Sequence, residues 1–364
     1  MKKMLIAALI LLFLLPMPCA AADAYGELYA ASGMEEAHDT LPTEIQQQAE
    51  MLMQQLTGEN PTQDGMLDLL LGMLRDGFDA PKHFLLICIA AILLCSLCAR
   101  IGEGTYSAPC EYISVLVIAG GGIAPLLELI QAADTAVSGV TAFMRCLIPV
   151  LAGILLAGGR VGTAGGFSAL FMLATQVVGQ VFSLFVLPCM CMFTSLSISC
   201  ACSDLKADGL VVGIKKAVGW LLTLTLTLFT GVLGLQTTIA GASDSVAMKT
   251  VRFAAGSFLP VVGSAVGEAM GTVTTCLQWL RSTGGAYGVL CIALLLLPII
   301  LRLAAWRLAL LLCEGVGSLF CAEKITQLLS SIGQAVALLI GILVWTGLLF
   351  IISLTIVMKA GGGG

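Results

Sequence analysis

Charge is what this sequence lacks first. Only 11% of its 364 residues are charged, where a soluble domain carries about 25%, so most of the chain is not made for water. The 17 basic residues, against 22 acidic ones, are scattered without a cluster, which argues against nucleic acid as a partner. Histidine is almost missing: His38 and His83 are the 2 present, too few and too early for general acid–base work or metal ligation. H-E-x-x-H, G-x-x-x-x-G-K-[ST] and G-x-S-x-G are all absent, which removes zinc proteases, P-loop ATPases and nucleophile-elbow hydrolases. An intramembrane aspartyl protease needs two aspartates inside the membrane, yet Asp134, Asp204, Asp208 and Asp244 sit at segment edges. The chain reads as no enzyme, with no cofactor and no metal.

What is there is apolar. Hydrophobic residues make up 59% of the chain, and the mean hydropathy is +1.02. Uncharged apolar runs cover residues 84–99, 112–127, 161–203, 217–243, 282–301 and 325–358, and they are continuous rather than alternating, which excludes a membrane barrel. Arg145 interrupts a further run at 137–158, and Glu268 another at 253–280. A crossing takes about 20 residues, so the run at 161–203 holds two passes broken at Pro188, and the total predicts about seven to nine membrane segments. The fold class is therefore all-α, a polytopic integral membrane helical bundle.

The 14 cysteines lie mostly inside these runs, where Cys packs as a small hydrophobe. Cys189, Cys191, Cys200 and Cys202 form C-x-C…C-x-C, a loose metal or redox spacing, but no histidine is near and packing is the reading taken.

Residues 1–21 read as a secretory signal: Lys2 and Lys3, an apolar run at 4–15, then Pro16 and Pro18 before Cys19-Ala20-Ala21. Residues 22–82 are then an extracytoplasmic amphipathic-helical region. Ile45, Ala49, Leu52 and Leu56 share one helix face there, suited to the membrane surface, a partner, or a cap on the chain's own membrane domain at 83–360. The cap is the reading taken. Far along the chain, Arg302, Arg307, Glu314 and Lys324 punctuate an apolar stretch and read as an interfacial connector or the polar end of a bundle helix.

Two stretches resemble one another: Asp134 followed by Leu147-Ile148-Pro149-Val150-Leu151, and Asp244 followed by Phe258-Leu259-Pro260-Val261-Val262. Later prolines, Pro188 and Pro298, keep the offset near about 110 residues, which points to an internal repeat with copies at 112–203 and 214–312. Repeats with broken helices build the midplane pathways of many transporters. The second copy holds the most unusual stretch. Asp244, Lys249 and Arg252 form a polar loop, Pro260 follows, and Gly263, Gly267 and Gly271 fall on one helix face able to pack backbone to backbone. Glu268 stands beside that strip. With Glu128, Arg145 and Gln236 it has two readings, an inter-helix polar contact or the lining of a polar path.

These residues carry a resemblance. The segments KKAVGWLLTLTLTLFTGVLGLQ from Lys215, SDSVAMKTVRFAAGSFLPVVGSAVGEAMGTV, LLLLPIILRL, and the closing IGQAVALLIGILVWTGLLFIISLTIVMKAG resemble the stage III sporulation protein AE family of endospore-forming bacteria. The likeness is dense over 215–361 and looser before it. It implies a multispan component of a trans-envelope channel or feeding conduit, in the mother-cell membrane around the forespore, needed for late forespore gene expression. It implies as partners other stage III sporulation A proteins, among them ring-forming members and a secretion-type ATPase, with stage II protein Q across the gap on the forespore side. It carries no catalytic residues. Two further classes stand beside it, a secondary transporter of small solutes and a non-conducting membrane scaffold.

Overall fold

In an apolar solvent the backbone must satisfy its own polar groups, which leaves a chain this hydrophobic the choice of helices or a closed barrel. The computed structural model describes residues 39–43, 45–47, 63–101, 107–157, 159–202, 208–258, 263–320 and 323–360, and among them there is no strand. Helix α1 spans Gln63–Ile101, α2 Ser107–Ala157, α3 Val161–Val181, α4 Leu187–Cys202, α5 Asp208–Phe258, α6 Gly263–Leu319 and α7 Glu323–Ala360. A π-helical turn, Phe182–Val186, joins α3 to α4 without a break. The signal-like residues 1–21 lie outside the described residues.

The all-helical membrane bundle stands as expected. Among the described residues six helical stretches are long and apolar enough to cross a membrane: Ala80–Cys98, Pro109–Ala157, Val161–Leu196, Val212–Gln236, Gly284–Leu319 and Glu323–Thr355. This falls below the seven to nine segments expected because two expected pairs are continuous and because the expected segment at 253–280, whose side chains lie outside the described residues, is not among the six. The runs on either side of Glu128 are one helix, α2, and no break follows Pro188. Prolines sit inside α1, α2 and α6 at Pro81, Pro125, Pro149 and Pro298, since neighbouring helices can re-satisfy what a membrane proline frees. Ahead of Pro188 the wider π turn makes room for the ring, which would otherwise meet the carbonyl four residues back.

The polar loop expected at Asp244, Lys249 and Arg252 is not a loop. Helix α5 runs through all three to Phe258. Charge does not end a helix, and alanine, methionine, lysine and arginine in this stretch all favour one. The true breaks are elsewhere. Between α2 and α3, Gly159 takes φ 73°; its N–H bonds Leu156 at 2.9 Å and that of Arg160 bonds Leu155 at 3.0 Å. This pair is a Schellman stop, in which the left-handed residue is best made by glycine.

Helix α7 is the axis of the bundle, packing on α6, α5, α2 and α4, with its longest contact against α6. The α6–α7 pair is antiparallel and fitted by glycines at four heights. Gly317 of α6 faces Thr326, Gly333 of α7 faces Arg307, Gly347 of α7 faces Leu296, and Gly288 of α6 faces Leu354. Lipid gives helices no hydrophobic reason to associate, so this close small-against-large fit is what holds them. Phe143, Phe167, Phe171, Phe193 and Phe350 fill the interior, each fully buried. Near the amino end, Leu41 is buried in the core and Ile45 packs against it. Residues 48–62, with the rest of the amphipathic face, lie outside the described residues.

Candidate functional site

Among the described residues, three groups of charged side chains sit within or between the helices. The innermost is on the α6–α7 seam. Arg307 and Glu314 are two turns apart on one face of α6, and Arg307 Nη1 donates to Glu314 Oε1 at 3.0 Å. Both side chains are largely covered, 25% and 19% exposed. Their cover is the bare backbone at Gly333: a Cβ there would run into the guanidinium and the carboxylate. A paired, hydrogen-bonded charge is the tolerable way to hold ions away from water.

At the start of α7 the backbone N–H of Lys324 donates to Glu111 Oε1 of α2 at 2.9 Å. A carboxylate at a helix N-terminus satisfies an orphan donor and meets the positive end of the helix dipole. The Lys324 ammonium reaches the hydroxyl of Tyr112 at 2.5 Å, with its Nζ 3.9 Å from the ring centroid, a cation–π contact. The third group is looser. Glu128 of α2 stands 3.6 Å from Arg302 of α6, with the carboxylate side chain 67% exposed.

The remaining polar groups are satisfied mostly within their helices. Thr223, Thr225, Thr227, Thr230 and Thr238 of α5 each donate to the carbonyl four residues back, the usual way a hydroxyl is carried into lipid. Trp345 crosses between helices, its Nε1 donating to the Leu222 carbonyl at 2.7 Å. Among the described residues two buried atoms have no hydrogen-bond partner, Gln236 Oε1 and Trp306 Nε1. The Trp306 ring packs on Phe84 at 5.4 Å.

The residues singled out in the sequence do not assemble into one site. Glu128 pairs with Arg302. Arg145 lies on an exposed face of α2, as does Pro149. Gln236 packs against Gly166 of α3. Gly263, Gly267, Glu268 and Gly271 fall in the opening turns of α6 with their side chains outside the described residues, as are those of Asp244, Lys249 and Arg252, and Pro260 is outside them altogether. Among the described residues no three His, Cys, Asp or Glu side chains are grouped to hold a metal, and Cys189, Cys191 and Cys200 are free thiols.

The seam at Arg307, Glu314 and Gly333 is the feature the sequence reading missed. Its signal was present as spacing: a basic and an acidic residue seven apart in an apolar run lie on one helix face. Punctuation by charge suggested the polar end of a bundle helix, and Glu314 does lie near the end of α6 at Leu319; what it did not show is that Arg307 and Glu314 pair with each other under Gly333.

A family model described as stage III sporulation protein AE matches residues 47–361, a range that takes in every helix from α1 to α7 and all three charged groups. The chain belongs to the stage III sporulation protein AE family. Stage III sporulation protein AE of Bacillus subtilis (strain 168) is 28% identical to it over 237 residues, which cover 64% of this chain. The match spans 58% of that relative's length. No solved structure matches. The family's name describes sporulation and carries no enzymatic term.

Proposed function

We propose that this chain is a multispan membrane component of the trans-envelope complex through which mother cell and forespore are connected. In this reading it sits in the mother-cell membrane around the forespore, its amino-terminal region extracytoplasmic. It acts with the other stage III sporulation A proteins, including ring-forming members and a secretion-type ATPase, and with stage II protein Q on the forespore side. The observation that carries the reading is the family match over residues 47–361. The bundle adds support for a role without catalysis, since the part-buried charges of Arg307 and Glu314 are spent on one another and the Glu111 carboxylate is taken up by the backbone N–H of Lys324.

A scaffold role within that complex is favoured over a self-contained transporter by one arrangement. Glu128, Arg145 and Gln236 stand apart, on Arg302, on an exposed face and on Gly166, where a solute path needs polar groups in file. Any conduit then runs between chains rather than through this one. The repeat belongs to the same proposal: α2 and α5 are both 51 residues long and each is followed by a second long, proline-containing stretch. Gly263, Gly267 and Gly271 are taken as a helix contact, with Glu268 as its polar neighbour.

Complementation in an endospore former deleted for its own family member tests the proposal. The intact chain, supplied with its cognate partner genes, should restore late forespore gene expression. Gly267→Leu should lose it together with accumulation of the protein, and Glu268→Gln should keep accumulation. Normal sporulation in the deletion strain would overturn the role. Full complementation by Gly267→Leu would overturn the helix contact.

A further inference from the structure

Helices α1 and α2 are joined by a series of polar contacts that ends, at the turn between them, on a pair of thiols. The Ser114 hydroxyl of α2 donates to the Ala91 carbonyl of α1 at 3.4 Å, and Ser114 is also hydrogen-bonded to the Cys95 thiol. One turn nearer the end, the thiols of Cys98 and Cys110 are hydrogen-bonded to each other. Cys98 is the last residue of the apolar stretch in α1, and Cys110 stands beside Pro109, the first of the stretch in α2. Both are partly exposed. The pair thus bridges two helices at the edge of their apolar stretches, where water and small solutes reach it.

A second thiol pair shows what access adds. Cys88 of α1 and Cys313 of α6 are also hydrogen-bonded to each other, but both are 0% exposed. Contact alone does not make a thiol reactive, since oxidation follows thiolate character and exposure. The buried pair packs as two small hydrophobes. The Cys98–Cys110 pair has both the neighbouring sulfur and the access. Its place in the fold matters as well. Cys110 adjoins Glu111, whose carboxylate accepts from the backbone N–H of Lys324 at 2.9 Å, so the pair stands next to the contact that holds the start of α7 on α2.

We propose that Cys98 and Cys110 form a reversible disulfide, closed by hydrogen peroxide and opened by thiols, that fastens the end of α1 to the start of α2 beside the Glu111–Lys324 cap. One sulfur of the pair, as the thiolate, attacks a peroxide oxygen; the O–O bond breaks, leaving a sulfenic acid and one water. The second thiol attacks that sulfur, the S–S bond forms, and the hydroxyl leaves as a second water. Two thiols give up two hydrogens and two electrons, and one peroxide takes them up. Two molecules of a small thiol reopen the bond through a mixed disulfide and leave as their own disulfide. With the amino-terminal region extracytoplasmic and 80–98 crossing once, the turn faces the cytoplasm, where disulfides are transient and redox-sensing rather than structural. That side rests on the proposed topology; the closure does not.

Membrane vesicles holding the full-length chain, treated with hydrogen peroxide, blocked with N-ethylmaleimide and digested with trypsin, test this. Cleavage after Lys82, Arg100 and Arg145 puts Cys98 on peptide 83–100 and Cys110 on peptide 101–145. The two should be recovered joined, two hydrogens lighter than their sum, and should separate in dithiothreitol. Cys98→Ser and Cys110→Ser should each abolish the joined product, and Cys88→Ser and Cys95→Ser should leave it. Recovery of the unsubstituted chain's peptides only apart, each labelled by N-ethylmaleimide, overturns the proposal, as does a joined product that survives Cys98→Ser. Peptide 308–324, which carries Cys313, should not be joined to 83–100; equal joining there overturns the part given to access. On oxidation, hydrogen exchange in the first turns of α7 should slow and then recover in dithiothreitol. Unchanged exchange overturns the link to the cap.

Discussion

Gly333 decides whether Arg307 and Glu314 can be inside the bundle at all. An added methyl at that position displaces the guanidinium from the carboxylate, and a buried charge that loses its partner costs about 1–3 kcal/mol or more. Gly333→Ala should therefore lower the melting temperature in detergent and reduce accumulation. Arg307→Met and Glu314→Gln singly should do the same, while the Arg307→Met, Glu314→Gln double variant should be less destabilised than the sum of the two. Additive losses in that cycle would show that the pair does not couple. Trp345 is a smaller case. Trp345→Phe removes the bond to Leu222 and should cost about 0.6 kcal/mol, the average for such membrane contacts, read as a small drop in thermal stability. The Glu128–Arg302 pair, more exposed and longer at 3.6 Å, is worth little by comparison.

At the scale of the helix, where a segment stops depends on backbone conformation more than on polarity. Asp244, Lys249 and Arg252 are as polar as a loop, yet α5 continues through them. Pro188 reads as a break between two passes, yet α3 runs on into α4 through the π turn ahead of it. Gly159 does stop a helix, because φ 73° suits a residue without a Cβ. Gly159→Ala should cost about 1 kcal/mol and loosen the α2–α3 turn. Faster protease cleavage near residue 159 would report it, and unchanged cleavage would show that the turn tolerates a side chain. The legible part of each element was its apolar content. Its ends were not legible, because a membrane proline or a charged pair can be absorbed by a neighbouring helix that the local sequence does not name.

For the whole molecule, burial is graded across the bundle rather than uniform. The α7 stretch is 67% buried and the α5 stretch 22%, so α7 is held on all sides and α5 mainly by Trp345 and its contacts with α3. Local opening follows the density of such contacts. Hydrogen exchange of the detergent-solubilised protein should therefore leave 323–355 the slowest segment and 212–236 measurably faster. Equal rates would mean the bundle opens as one unit.

Composition alone determined that this is a helical membrane protein. With 11% charged residues and 59% hydrophobic ones, no water-soluble fold could hide so much apolar surface. The motif-bearing segments after Lys215 pointed to the family that the match over 47–361 shows. Tertiary structure decided which polar residues meet. Arg307 finds Glu314 under Gly333, Lys324 finds Glu111 and Tyr112, and Glu128 finds Arg302. Two of these three contacts join helices distant in sequence, and the third depends on a glycine from another helix. Spacing along one helix can place a charge on a face, but only packing supplies what that face meets.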